Sequence, residues 1–287
     1  MARTYPAKIL LFGEHTVLRG GQGLAVPYPR LSLCWSRGKP DVRLLAFADY
    51  LRQHVPAWAL PAGAMESFLK AGNRLVGDIP TGYGLGSSGA VCAALWDRFA
   101  TEKGRTLKGE DLRAMLATME GYFHGNSSGT DPLICYLEQP MTIGGGNPSA
   151  PVTLPADWEK NFFLVDSGHE RSAATYIERF TQRYDTDPAF AHDVDAEWRA
   201  PANACCDALV TSNRQELEQA FRAVSYFQFG SLPDFIPPGY YSKWLHDGYY
   251  LKICGAGGGG MLLGYALDQE AVEASFGEVA WLRKNPA

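Results

Sequence analysis

The segment Gly82-Tyr83-Gly84-Leu85-Gly86-Ser87-Ser88 constrains this chain more than any other. Three alternating glycines free the backbone for positive φ angles and for close approach to a ligand. The apolar positions beyond it, Val91, Ala94, Leu95 and Phe99, share one helical face and predict a helix over about 89–100. Such a helix aims its unpaired N–H groups and the positive end of its dipole at the loop, which suits a phosphate. Ser87 and Ser88 add hydroxyls that reach a phosphate or its magnesium. A Walker A loop needs a lysine before its Ser/Thr, and none occurs here. Gly84 to Gly89 fits G-x-G-x-x-G, but the stretch about 20 positions on is polar and helix-like, where a dinucleotide fold wants a strand closing on an acidic residue. A helix-entry loop without a ligand is the plainer alternative.

Three other segments carry chemistry. Lys8 interrupts the apolar strand-like run Ala7–Phe12, and lysine is rarely buried without a partner. Either it points to solvent from an edge strand, or it meets a carboxylate, for which Asp131 is the natural candidate. Glu120 closes a predicted helix over about 110–121 on its polar side, and Asp131 follows the turn-rich stretch 124–131. Two carboxylates so separated can divide two tasks, one holding a cation and one taking a proton from an attacking hydroxyl. Glu120 as a solvated helix-end residue is the bland reading. Finally, Gly255-Ala256-Gly257-Gly258-Gly259-Gly260 lies between predicted strands at 249–254 and 261–266. Four consecutive glycines are entropically costly, so some close approach must justify them.

The chain has 287 residues, of which 46% are apolar, enough for a large core and for two domains. Gly144–Pro151 punctuates the expected boundary, giving regions 1–154 and 155–287. Helical patches broken by Pro56 and Pro61 are predicted over 46–75, and two helical stretches over about 172–184 and 189–224. Strands and helices mix, which argues for an α+β or α/β class. The net charge of −5 gives no basic footprint for nucleic acid. No apolar run spans a bilayer and Ile9–Phe12 is too short for a signal core, so the expectation is a cytoplasmic protein. The six cysteines lack C-x-x-C spacing and read as reduced, mostly buried thiols.

Together the segments 7–15, 80–90 and 252–260 resemble, in order, the three motifs of the GHMP kinases. The stretch Phe123–Asp131, ending in an aspartate, is similar to that of the mevalonate kinases of this superfamily, and the bacterial, Bacteroidetes-type members look most alike. The resemblance implies an α+β fold in two parts. The N-terminal part carries the phosphate loop and a left-handed βαβ crossover, the C-terminal part is ferredoxin-like, and the site lies between them. It implies ATP and Mg2+ as cofactors and a mevalonate-like alcohol as substrate, and it is compatible with a homodimer. Asp131 and Lys8 become the catalytic pair. Gly82, Gly84, Leu85, Gly86, Ser87, Ser88, Gly257 and Gly258 become nucleotide contacts. Glu14, His15, Asp131 and Gly257 become substrate contacts, and Ser88 with Glu120 the metal ligands. The chain departs from the pattern at Gly89, where alanine is commoner, and at His169-Glu170-Arg171-Ser172, where a Thr-rich substrate loop is usual. Arg171 reads as a surface arginine or a partner for a substrate carboxylate. Another small alcohol such as phosphomevalonate, or a non-catalytic metabolite or nucleotide sensor, are the alternative readings.

Overall fold

The computed structural model describes residues 3–283; Met1, Ala2 and residues 284–287, at the ends of the two expected regions, lie outside the described residues. The apolar run at the start forms β1 (Thr4–Phe12), buried on both faces over most of its length. It pairs antiparallel with the long β2 (Gln22–Arg37), Lys8 opposite Pro27. The register jumps between Pro6, opposite Ser32, and Ala7, opposite Tyr28, so Pro29 falls among looped-out residues where its missing N–H breaks no ladder bond.

Two helices follow, α1 (Val42–His54) and α2 (Ala62–Lys70), separated where Pro56 and Pro61 require it. The expected helical patch does not extend to residue 75. Gly72, at φ +86°, ends α2, and β3 (Asn73–Gly77) pairs with the far end of β2. Next come α3 (Ser87–Phe99), the short α4 (Glu102–Arg105), α5 (Gly109–His124) and α6 (Thr130–Leu137). They lead to β4 (Met141–Gly144), on the near end of β2, and β5 (Ala150–Pro151). Because β3 and β4 both run antiparallel to β2, they are parallel to each other, and α3–α6 form the crossover between them.

The second sheet starts with β6 (Phe162–Asp166). Helix α7 (Ala173–Thr186) precedes α8 (Pro188–Asp193), which continues through a π-helical turn at 194–199 into α9 (Ala200–Val210). The single stretch expected over 189–224 is broken at 211–213. There Ser212 takes a positive φ and the Asn213 side chain accepts from Glu216 N–H, capping α10 (Arg214–Ser231). Strands β7 (Leu245–His246), β8 (Tyr249–Ile253) and β9 (Met261–Ala266), then α11 (Gln269–Phe276) and β10 (Ala280–Trp281), complete it. The order β10-β6-β9-β8-β7, with helices between β6 and β8 and between β9 and β10, is the ferredoxin-like β-α-β-β-α-β arrangement.

One core cluster crosses from the first sheet to the second. Phe12 of β1 meets Phe162 and Phe221 edge-on, with centroids 6.2 and 6.1 Å apart. A second cluster, including Phe47, Met65, Trp96 and Leu116, fills the space among α1, α2, α3 and α5. β1 therefore runs between two packed bodies, which places Lys8 beside the glycine-rich loop. Among the described residues, no helix is long and apolar enough to cross a membrane. All six cysteines are free thiols, five of them buried.

Candidate active site

β1 and the loop before α3 are tied by the backbone: Lys8 N–H donates to Leu85 C=O at 2.9 Å. The loop ends at Gly86, which precedes α3 with φ +72°, so Ser87 and Ser88 occupy the first turn of α3. The Lys8 side chain passes beneath Gly86 and places Nζ 3.0 Å from Asp131 Oδ2. Burial pulls the lysine pKa down, but the Asp131 carboxylate more than offsets this and leaves it raised. Asp131 stands in the first turn of α6, and that turn is packed tightly on α3. A Cβ at Gly89 would lie 2.8 Å from the Asp131 carbonyl carbon. Glycine in place of the commoner alanine thus lets the aspartate approach the loop.

The other carboxylate is not where the helical pattern predicts. α5 continues to His124, and Glu120 lies in its buried stripe with Leu112, Leu116 and Met119, only 3% exposed. Ser88 Oγ donates to Glu120 Oε1 at 2.8 Å and Ser127 Oγ to Oε2 at 2.5 Å. Burial, then the charge of Asp131, pushes the Glu120 pKa up to about 7. His124 Nε2 lies 3.1 Å from Ser88 Oγ. Among the described residues, no group of three or more His, Cys, Asp or Glu forms a closed metal cage. One hydroxyl and one carboxylate at the start of a phosphate-type loop instead fit a magnesium ion whose other ligands are phosphate oxygens and water.

The remaining predicted contacts divide. Leu85 and Gly86 lie against Lys8, whereas Gly82 and Gly84 face the 170–171 segment. Gly257 and Gly258 pack closely against protein. Gly258 N–H donates to Phe235 C=O at 2.6 Å, and a Cβ at Gly258 would lie 1.9 Å from the Tyr176 ring. A Cβ at Gly257 would meet Phe235 C=O at 3.0 Å. Protein packing already requires glycine at both positions.

Glu14 and His15 are both buried. The Glu14 carboxylate pairs with Lys252 on β8, and both side chains are fully buried. His15, at φ +55°, is wedged against Phe180, Trp198 and Phe235, with Nε2 3.0 Å from Ala256 C=O. Burial drives its pKa down to about 4 from 6.5. Because the unfolded chain takes up the proton first, this neutral histidine supports the fold above pH 6.5, and that support fades as pH falls toward 4. At pH 5 the loss is about 2 kcal/mol. Urea unfolding at pH 7.5 and pH 5 measures it. His15→Asn, which tolerates the positive φ, should show a correspondingly weaker acid sensitivity, and an unchanged pH dependence would discount His15 as its source.

Arg171 is the residue that sequence reasoning undervalued. It is not a surface arginine. Its guanidinium lies between the loops at Gly84 and Gly255; a Cβ at those glycines would fall 2.6 and 2.9 Å from Nη2. Burial lowers its pKa, and its Nε is buried without a hydrogen-bond partner. No spacing marks this position; the signal available was its place just after the strand that ends at Asp166. The segment is held there by Gly260 N–H donating to His169 C=O at 2.7 Å. The site therefore gathers a lysine–aspartate pair, a serine–glutamate pair, a helix N-terminus and an unpartnered guanidinium. It can bind phosphate, accept a proton and receive a second anionic group.

Residues 46–139 match the family model described as GHMP kinases N terminal domain. The mevalonate kinase of Archaeoglobus fulgidus is 26% identical over 275 residues, 92% of each chain. The Leishmania major mevalonate kinase, solved with R-mevalonate, superposes with a TM-score of 0.60 at 16% identity, covering 96% of this chain and 89% of that one. The Streptococcus pneumoniae phosphomevalonate kinase superposes with a TM-score of 0.65 at 14% identity, covering 99% and 98%. These solved structures share the fold of this chain. The segment 46–139 thus matches the N-terminal domain of the GHMP kinases, and the whole chain shares its fold with mevalonate and phosphomevalonate kinases.

Proposed function

We propose that this enzyme transfers the γ-phosphoryl group of ATP to the hydroxyl of mevalonate, giving 5-phosphomevalonate. The observation that carries the reading is the Lys8–Asp131 pair, with Nζ 3.0 Å from Oδ2, set beside the first turn of α3. Asp131 accepts the proton of the attacking hydroxyl, and Lys8 stabilises the charge that develops on that oxygen. The N–H groups at the start of α3 and the 82–86 loop hold the phosphates. Ser88 and Glu120 would hold Mg2+, which would supply charge neutralisation at the transferred group. Arg171 receives the substrate carboxylate as a two-pronged partner. The near full-length relation to an archaeal mevalonate kinase supports this substrate over other alcohols.

The deciding experiment is ADP release with mevalonate and phosphomevalonate side by side. ADP formed with mevalonate at least tenfold faster is the expected result. Faster release with phosphomevalonate would reassign the substrate, and nucleotide binding with no alcohol-dependent release would make the chain a sensor.

A further inference from the structure

The mechanism leaves His124 without a role, although it touches the pair assigned to the cation. It lies one turn beyond Glu120 on α5, so the two side chains share a face. Its ring is exposed, and Nε2 is 3.1 Å from Ser88 Oγ. The serine hydroxyl has one hydrogen, which goes to Glu120 Oε1 at 2.8 Å. Nε2 therefore carries the imidazole hydrogen and donates it to Ser88. A cation taken up by Ser88 Oγ and Glu120 replaces the hydrogen bond between them. The neutral ring then needs only its other tautomer, Nδ1–H toward solvent, to turn a lone pair on Nε2 toward the same point. Ser127, held on the second Glu120 oxygen at 2.5 Å, fixes the carboxylate while this happens.

We propose that His124 Nε2 is a direct ligand of the nucleotide-associated cation, which makes the protein part of the site one hydroxyl, one carboxylate and one imidazole. Magnesium favours oxygen donors, whereas imidazole suits the first-row transition metals. The site accordingly takes Mn2+ or Co2+ more tightly than Mg2+, and the imidazole is what sets the difference. The inference rests on Ser88 and Glu120 being the cation site proposed above.

The test uses the full-length chain labelled with 15N-histidine, with Mn2+ and a non-hydrolysable ATP analogue, read by pulsed electron paramagnetic resonance. The expected result is 31P coupling together with a directly bonded 15N coupling. In His124→Gln the 15N coupling disappears while Mn2+ remains bound, with its affinity reduced about tenfold. Mg2+ affinity should fall less than Mn2+ affinity in the same variant. Bound Mn2+ with 31P but no 15N coupling in the unaltered protein overturns the histidine ligand and leaves the cation site standing. Mn2+ uptake that is the same in the unaltered protein and in Glu120→Gln overturns the underlying site as well.

Discussion

Asp131→Asn should lower kcat by roughly 10²–10⁴, the scale of lost general-base catalysis, with nucleotide affinity little changed. The substitution keeps the side-chain volume, and its amide oxygen can still accept from Lys8 Nζ, so the packing of α6 on α3 should persist. What disappears is the capacity to take a proton. Nucleotide binding by calorimetry and turnover by ADP release separate the two effects. Near-normal turnover would remove Asp131 from the chemistry. Lys8→Met is the companion. It deletes the buried cation and leaves a carboxylate that is 37% exposed and can be solvated, so stability should change little. Turnover should still fall on the order of a hundredfold, as when a preorganised oxyanion donor is lost. If Lys8→Met left kcat intact, the lysine would be a packing residue.

Much of this arrangement was legible in the chain. The strand at 261–266, the helices after Ser87 and Glu110, and the lysine–aspartate meeting all follow from local pattern plus the rule that a buried lysine seeks a charge. What local pattern could not supply is which of two packed bodies covers a given face. Glu120 reads as a polar helix-end residue because the predicted helix stops beside it at Gly121; only α3 packing against α5 buries it against Ser88. The glycines at 257 and 258 suggested a ligand because glycine reports close approach, not what approaches. In this fold Phe235 and Tyr176, from the helical excursion between β6 and β8, supply the approach. Arg171 was hidden for the same reason. Its burial comes from two glycine-rich loops far apart in sequence. β3 was missed because five residues without regular alternation pair only with the distant end of β2.

The buried charges at the junction of the two sheets carry the largest stability effect. Lys252 sits within β8, where its Nζ donates to Glu14 and, at 2.9 Å, to Ile253 C=O. Neither side chain of the pair is exposed, and Glu14 Oε2 is buried without a hydrogen-bond partner. Burial raises the Glu14 pKa and Lys252 opposes that rise. Lys252→Met should therefore destabilise the protein by about 3–5 kcal/mol, because it leaves a carboxylate in an apolar site with nothing to offset its desolvation. The loss should shrink as pH falls, since a carboxyl that is unpaired in the fold is easily protonated. Adding Glu14→Leu to Lys252→Met removes both charges and should recover most of the stability, the outcome expected when the pair is held by mutual compensation and not by net attraction. Urea denaturation of the two single variants and the double variant measures this coupling. A double variant destabilised by the sum of the two single variants would mean that the charges act independently. Turnover of a stable double variant then isolates the functional part. Glu14 precedes His15, which lies 3.0 Å from Ala256 C=O, so the pair and this contact hold the first and third glycine-bearing segments in register. If the charges serve only that positioning, an apolar pair of similar volume should keep kcat within about an order of magnitude, far from the loss expected at Asp131.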